Sequence, residues 1–185
     1  MDADNELKER LASGAEGAFE HLVRAYEHRL YAFALSLCGN GADAEEVAQD
    51  AFVRAHRALG GYTPGRIRDL RLAGWLYRIA LNVQRNRVRR RRLRVVALED
   101  APEPADPSLD PAAEVERRSR LVELANLVSG LPDHHRSAVA LRCVQGLTYA
   151  EAARVLGQPE GTVKANVHRG LTALRRRAGE LSKVS

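Results

Sequence analysis

The chain has 185 residues, a net charge of +5 at neutral pH, a pI near 9.6 and 45% hydrophobic residues. That gives room for one or two small domains with apolar cores, and it favours a polyanionic partner. No run of about 18 apolar residues exists, which excludes a membrane-spanning helix, and the acidic start MDADNELKER has no apolar stretch of a secretory leader.

The periodicity predicts a first long helix opening at Ser13, where Ser13 and Glu16 suit a capping box. Phe19, Leu22, Val23, Tyr26, Leu30, Phe33 and Leu37 form its apolar face. Gly39-Asn40-Gly41 breaks it. Asp43 and Glu46 suit a second cap, and a helix follows to about Leu59 with Ala44, Val47, Ala48, Ala51, Phe52 and Ala55 inward. Asp43, Glu45, Glu46, Gln49 and Asp50 leave an acidic, polar side near its start. Those charges either favour the helix N-terminus through its dipole or form a docking surface; the pattern leaves both open.

Gly60 to Gly65 reads as a loop by its glycine and proline content. A third helix begins near Arg71 and turns Leu72, Trp75, Leu76, Ile79 and Val83 inward. Arg78, Asn82, Arg85 and Arg89 form a second stripe beside that face, with Asn86 at its margin. Arginine and asparagine can bond phosphates and base edges, and Trp75 and Tyr77 can stack on an unpaired base. Seven of the ten residues from Arg85 to Arg94 are arginine. Such density self-repels unless solvent or an anion offsets it, so the run reads as a nucleic-acid contact or a solvated basic helix end.

From Val95 to Glu116 there is no lysine or arginine, seven residues are acidic, and Pro102, Pro104, Pro107 and Pro111 prevent a continuous helix. The predicted fold is all-α: two small helical domains, residues 1–94 and 114–185, joined by a flexible, acidic, proline-rich linker at 95–113. In the second domain, Val115, Leu121, Leu124, Leu127 and Val128 suggest one helix, and Leu131-Pro132-Asp133 starts another. His134 and His135 are adjacent and point apart on a helix. No cysteine or histidine partner is suitably spaced, so no metal site is expected. Cys38 and Cys143 sit in apolar helical context and read as buried free thiols in a reducing cytoplasm.

Thr148 to Arg177 predicts a helix, a tight turn and a second helix. Thr148 and Glu151 fit a capping box. Ala152, Ala153, Val155 and Leu156 supply a buried side, Gly157 ends the helix, and Pro159 suits the start of the next. Val163, Val167, Leu171 and Leu174 form one stripe; Lys164, Ala165, His168, Arg169, Thr172 and Arg176 face the other way. This is the arrangement of a helix-turn-helix, whose second helix can enter a major groove.

Taken together, DAEEVAQDAFVRAHRAL, WLYRIALNVQRNRVRRRR and LPDHHRSAVALRCVQGLTYAEAARVLGQPEGTVKANVHRGLTALRRR, in this order, resemble regions 2 and 4 of the extracytoplasmic-function sigma factors of bacterial RNA polymerase. The resemblance implies a cytoplasmic, non-enzymatic subunit that binds core polymerase and directs it to promoters, without a cofactor or small-molecule substrate. Region 4 would read the −35 element with Lys164, Ala165, His168 and Arg169, with Arg142 and Thr162 near phosphate. Region 2 would open the −10 element and hold an unstacked base, using the loop from Gly61 to Arg71, Tyr62 within it, and Trp75, Tyr77, Arg78, Asn82, Arg85 and Asn86. Asp43, Glu46, Gln49, Asp50 and Arg54 would grip the polymerase. The family also implies an anti-sigma partner. Asn166, where the family often has arginine, Ala152, and the loop after Tyr62 depart from its pattern. With eight residues after Arg177, no further C-terminal domain is expected.

Two other classes compete. A dimeric helix-turn-helix regulator acting without polymerase explains the second domain and leaves the first idle. A DNA-processing enzyme lacks support: no paired acidic metal motif, no recognisable nucleophile and no phosphate-binding glycine loop is found.

Overall fold

The computed structural model describes residues 3–95 and 122–181. Every regular element among them is helical: α1 Ala3–Ala12, α2 Ala18–Cys38, α3 Gly41–Leu59, α4 Pro64–Arg68, α5 Leu72–Val95, α6 at 122–129, α7 Asp133–Val139, α8 Tyr149–Leu156 and α9 Glu160–Leu181. The linker beyond Val95, and Val115 and Leu121 of the expected following helix, lie outside the described residues.

The N-terminal half is built on α2, α3 and α5. Leu22, Tyr26, Leu30 and Phe33 of α2, Val47 and Ala51 of α3, and Leu72, Leu76 and Leu81 of α5 are buried together. Burying such side chains contributes roughly 1.5–3 kcal/mol each, the main favourable term here. Two expected caps form differently. Ser13 ends α1, its hydroxyl donating to the Arg10 carbonyl at 3.1 Å, and α2 opens instead after Gly17 at φ 70°. The cap of α3 is Asn40, three residues before Asp43: its side-chain oxygen accepts from the Asp43 N–H at 2.9 Å and its amide donates to the Asp43 carboxylate at 2.9 Å. Amide side chains cap as well as carboxylates, and Asn40 sits at the extended residue where a cap must be.

In the C-terminal half, α8 and α9 form the expected helix-turn-helix. The Thr148–Glu151 box is complete, and Gly157 at φ 64° ends α8 in the left-handed conformation. Val163 and Val167 are buried, and the Pro159 carbonyl accepts from the Val163 N–H at 3.2 Å, starting α9. Thr148→Ala is expected to cost about 1 kcal/mol, read as a lower midpoint in urea. Backbone and side-chain hydrogen bonds from Thr148 hold the Glu151 carboxyl below its ordinary range. A depressed carboxylate adds stability above its unfolded pKa and loses it as pH falls through the folded value. The gap between wild type and variant should therefore shrink in acid.

Between α7 and α8 the chain makes one wide π-helical turn, Ala140–Val144. That turn shifts the register of the outward residues. It corrects one expectation: Cys143 is exposed, and Cys38 is only partly buried. Burial, with the Asp43 charge beside it, pushes the Cys38 thiol up to about 12.

The halves are packed together. The C-terminal end of α2 meets α7 and the π turn, and α5 meets α8. One continuous buried cluster contains Leu76, Tyr77 and Ala80 from the first half and Leu141, Leu147, Ala152 and Val155 from the second. Arg136 clasps the seam: one guanidinium nitrogen donates to the carbonyls of Leu37 and Ser129, both at 3.0 Å.

Candidate nucleic-acid interface

α9 presents Thr162, Lys164, His168 and Arg169 to solvent, with Ala165 half-buried. Their inner neighbours Val163 and Val167 fix the roll of the helix, so the polar residues must point out. His168, Arg169, Thr172, Ala173 and Arg176 line a shallow concavity of about 350 Å³ on the outer face. Asn166 is 5% exposed. It turns inward and takes no part in the exposed row. Arg142 is set apart from that row. Its guanidinium lies 5.1 Å from the Tyr149 ring centroid and donates to the Leu147 carbonyl at 3.3 Å.

The second cluster lies where the α4 loop meets the start of α5. The Thr63 hydroxyl caps α4, accepting from the Arg66 N–H at 3.3 Å, and Pro64 suits the first turn. This brings the Arg66 guanidinium to 3.7 Å over the Tyr62 ring, while Trp75 lies 6.1 Å from Tyr62 on the other element. Both rings are half-buried, leaving part of each accessible. A cation stacked on one ring beside a second ring is a platform on which an unpaired base can stack. The sequence places Arg66 only within the loop from Gly61 to Arg71; the Thr63-Pro64 start of a short helix is the signal that could have singled it out.

Farther along α5, Asn82 and Asn86 are exposed. Three other expected DNA contacts are engaged with the second half. Tyr77 is fully buried, and its hydroxyl donates to the Gln145 side-chain carbonyl at 2.6 Å. Arg78 donates to the Val155 carbonyl at 3.2 Å. Arg85 pairs with Asp133 at 3.2 Å. The packed arrangement thus brings Tyr62 and Trp75 together but covers Tyr77.

The acidic start of α3 faces the arginine run. Arg91 reaches the Asp43 carboxylate at 2.6 and 3.0 Å, Arg87 reaches it at 3.2 Å, and Arg87 also pairs with Glu46. Burial works against the Asp43 charge, but hydrogen bonds from Arg91, Asn40 and Arg87 and the Arg91 charge hold its carboxyl below the usual range. Arg87 and Arg91 are therefore tied to an acidic helix, Arg87 partly buried and Arg91 still open to solvent. Gln49, Asp50 and Arg54 are exposed on α3 next to Val53, a 48% exposed aliphatic residue that the sequence did not single out. Asp43→Asn is expected to cost about 1–2 kcal/mol in stability, below the full scale of charged hydrogen bonds because Arg91 is more than half exposed and solvent screens the pair. Asp50→Ala should leave the urea midpoint unchanged.

Residues 22–94 match the family model for Sigma-70 region 2, and residues 121–174 match that for Sigma-70, region 4. The chain is 39% identical over 172 residues to the ECF RNA polymerase sigma factor SigE of Mycolicibacterium smegmatis, an alignment taking in 89% of this chain and 64% of that protein. It thus spans just under two thirds of that relative. It is 32% identical over 183 residues to the RNA polymerase sigma-H factor of Pseudomonas aeruginosa, covering 94% of this chain and 93% of the other. Among solved structures, it is similar to CnrH in complex with the cytosolic domain of CnrY, with a TM-score of 0.70, 28% identity and coverage of 97% and 99%. It is also similar to the sigma factor RpoE in complex with the anti-sigma factor NepR from Bartonella quintana, with a TM-score of 0.66, 26% identity and coverage of 86% and 96%. With both family regions in order and relatives aligned over most of its length, the chain belongs to the extracytoplasmic-function sigma factors of the sigma-70 family.

Proposed function

We propose that this chain binds core RNA polymerase and directs it to promoters, with the exposed row on α9 reading a −35 element and the α4–α5 cluster capturing an unstacked base of the −10 element. The observation that carries this is the coexistence of two different DNA-facing devices in one chain. One is a helix-turn-helix with an exposed basic row, suited to duplex. The other is a ring–guanidinium–ring platform, suited to a single strand. A regulator that only binds an operator has no use for the second.

Lys164, Ala165, His168 and Arg169 are assigned to base edges, with Thr162 and Arg142 near phosphate. Tyr62, Trp75, Asn82 and Asn86 are assigned to the −10 strand. Tyr77, Arg78 and Arg85 join them once the halves part. The exposed face of α3 carrying Glu46, Gln49, Asp50 and Arg54 is assigned to the polymerase, and Asp43 to holding that face in place. The similarity to the sigma factor RpoE solved in complex with the anti-sigma factor NepR supports an anti-sigma factor as a partner. No helix among the described residues is long and apolar enough to cross a membrane, in keeping with a cytoplasmic protein. No reaction of its own is assigned.

The test is transcription in vitro with core polymerase and a pool of genomic promoter fragments, sequencing RNA 5′ ends. Discrete starts sharing −35 and −10 sequences are expected. Binding to a palindrome as a dimer, with no starts and no polymerase association, would favour the polymerase-independent regulator.

A further inference from the structure

We propose that α1 is the seat of the −10-reading loop, and that Glu9 is a positioning residue for it; this rests on the assignment of that loop to the −10 strand.

α1 lies ahead of the region 2 match, which starts at residue 22. Yet it is the element that α4 packs against most extensively. The loop's own means of holding a pose are slight. α4 spans five residues, Pro64–Arg68, closed by one hydroxyl cap and a few backbone bonds. A helix that short is not stable by itself in water. Its pose must come from what it rests on.

α1 is firmly placed. Leu7 and Ala12 are buried, and the part-buried Tyr26 hydroxyl of α2 donates to the Asp4 carboxylate at 2.8 Å. Arg10 bonds the His21 ring at 2.9 Å, a second tie to α2. From this base Glu9 receives Arg68 Nε on both carboxylate oxygens, at 3.0 and 2.9 Å. Arg68 closes α4, whose middle residue Arg66 stacks its guanidinium on Tyr62. A shift at Arg68 is therefore a shift of the platform, two residues away on the same helical turn. Base capture depends on sub-ångström placement, so a support need not touch DNA to set the outcome.

The experiment uses the full chain with core polymerase, on a duplex promoter carrying a fluorescent adenine analogue at the non-template −10 position that opens. The variants are Glu9→Arg, Arg68→Glu, the double swap and Tyr62→Ala. Each single swap is expected to lower opening roughly two- to five-fold, the scale of an exposed ion pair replaced by like charges. Each should also weaken discrimination among bases at that position. The double swap restores both. Polymerase affinity and −35 binding should be unchanged throughout, and the melting temperature should move by only a few degrees, which a merely structural role would not predict together with a change in base preference. Tyr62→Ala separates the two ideas. If it lowers opening but the single swaps do not, or the double swap does not restore it, the loop reads DNA without α1 as its guide and the proposal is overturned. If Tyr62→Ala leaves opening intact, the loop assignment itself fails and takes the proposal with it.

Discussion

Replacing Lys164 and Arg169 together by alanine is expected to reduce −35-dependent transcription by roughly thirtyfold or more, while leaving affinity for core polymerase intact. Each well-made contact to a base edge is worth about 1–3 kcal/mol of discrimination, so losing two removes about 2–6 kcal/mol, roughly thirtyfold at the least. Both side chains are exposed on α9, and surface substitutions away from caps and cores stay within about 0.5 kcal/mol in stability. A folding defect therefore does not account for the loss. Measured against salt, binding of the −35 duplex should also show a shallower slope if either residue meets phosphate, by about 0.9 per contact. Loss of polymerase binding in this variant would refute the assignment of α9 to DNA.

The parts of this fold that were legible in the sequence are those set by neighbours a few residues apart. Thr148 and Glu151 announce the start of α8, Gly157 its end, and Val163 and Val167 the buried side of α9; each signal is local and each element forms as read. The exposed row from Lys164 to Arg169 follows from the same periodicity. What was not legible depends on distant partners. Arg87 and Arg91 lie 44 and 48 residues from Asp43, and nothing in either segment says that the two meet. The acidic start of α3 could thus be read as a dipole effect or a docking face, but not as a counter-charge to the arginine run. α1 was overlooked because Leu7 and Leu11 are its only large apolar residues. The α4 turn hid inside a glycine- and proline-rich stretch that pattern alone assigns to a loop.

The seam between the halves was the least legible feature. Tyr77 reads equally as a core ring and as a stacking ring, and here it is buried against Gln145. Only contact across the chain distinguishes the two. That contact also changes the meaning of the stripe on α5. Tyr77, Arg78 and Arg85 are held by the second half of the chain, so under the proposed assignment they can meet the −10 strand only when that contact opens. A chain whose binding-competent form is a minor population binds more weakly in proportion to that population. Under that assignment the free chain should bind promoter DNA poorly, and a partner that spreads the two halves should raise its affinity.

A wedge at Gly74 is expected to release this restraint. Gly74 stands in the first turn of α5, and a Cβ there would lie 3.3 Å from a Val155 methyl of α8. A leucine would need space that Val155 already fills, and overpacking of this kind costs about 1–3 kcal/mol. The cost falls on the contact between halves. Within α5, leucine favours the helix over glycine by up to about 1 kcal/mol, so the N-terminal half should not unfold. Gly74→Leu should therefore give a larger radius of gyration by solution scattering. It should also raise the affinity of the free chain for single-stranded −10 DNA by roughly tenfold, as each 1.4 kcal/mol taken from the closed form multiplies the open fraction by ten. Adding Tyr77→Phe would not serve as well, since that ring is itself assigned to the DNA. An expanded chain with unchanged affinity would mean that α5 is not the −10 surface. An unexpanded chain with unchanged affinity would mean that Val155 yields and the seam holds, in which case Asp133→Arg, set against Arg85, is the stronger wedge and should produce the same two changes.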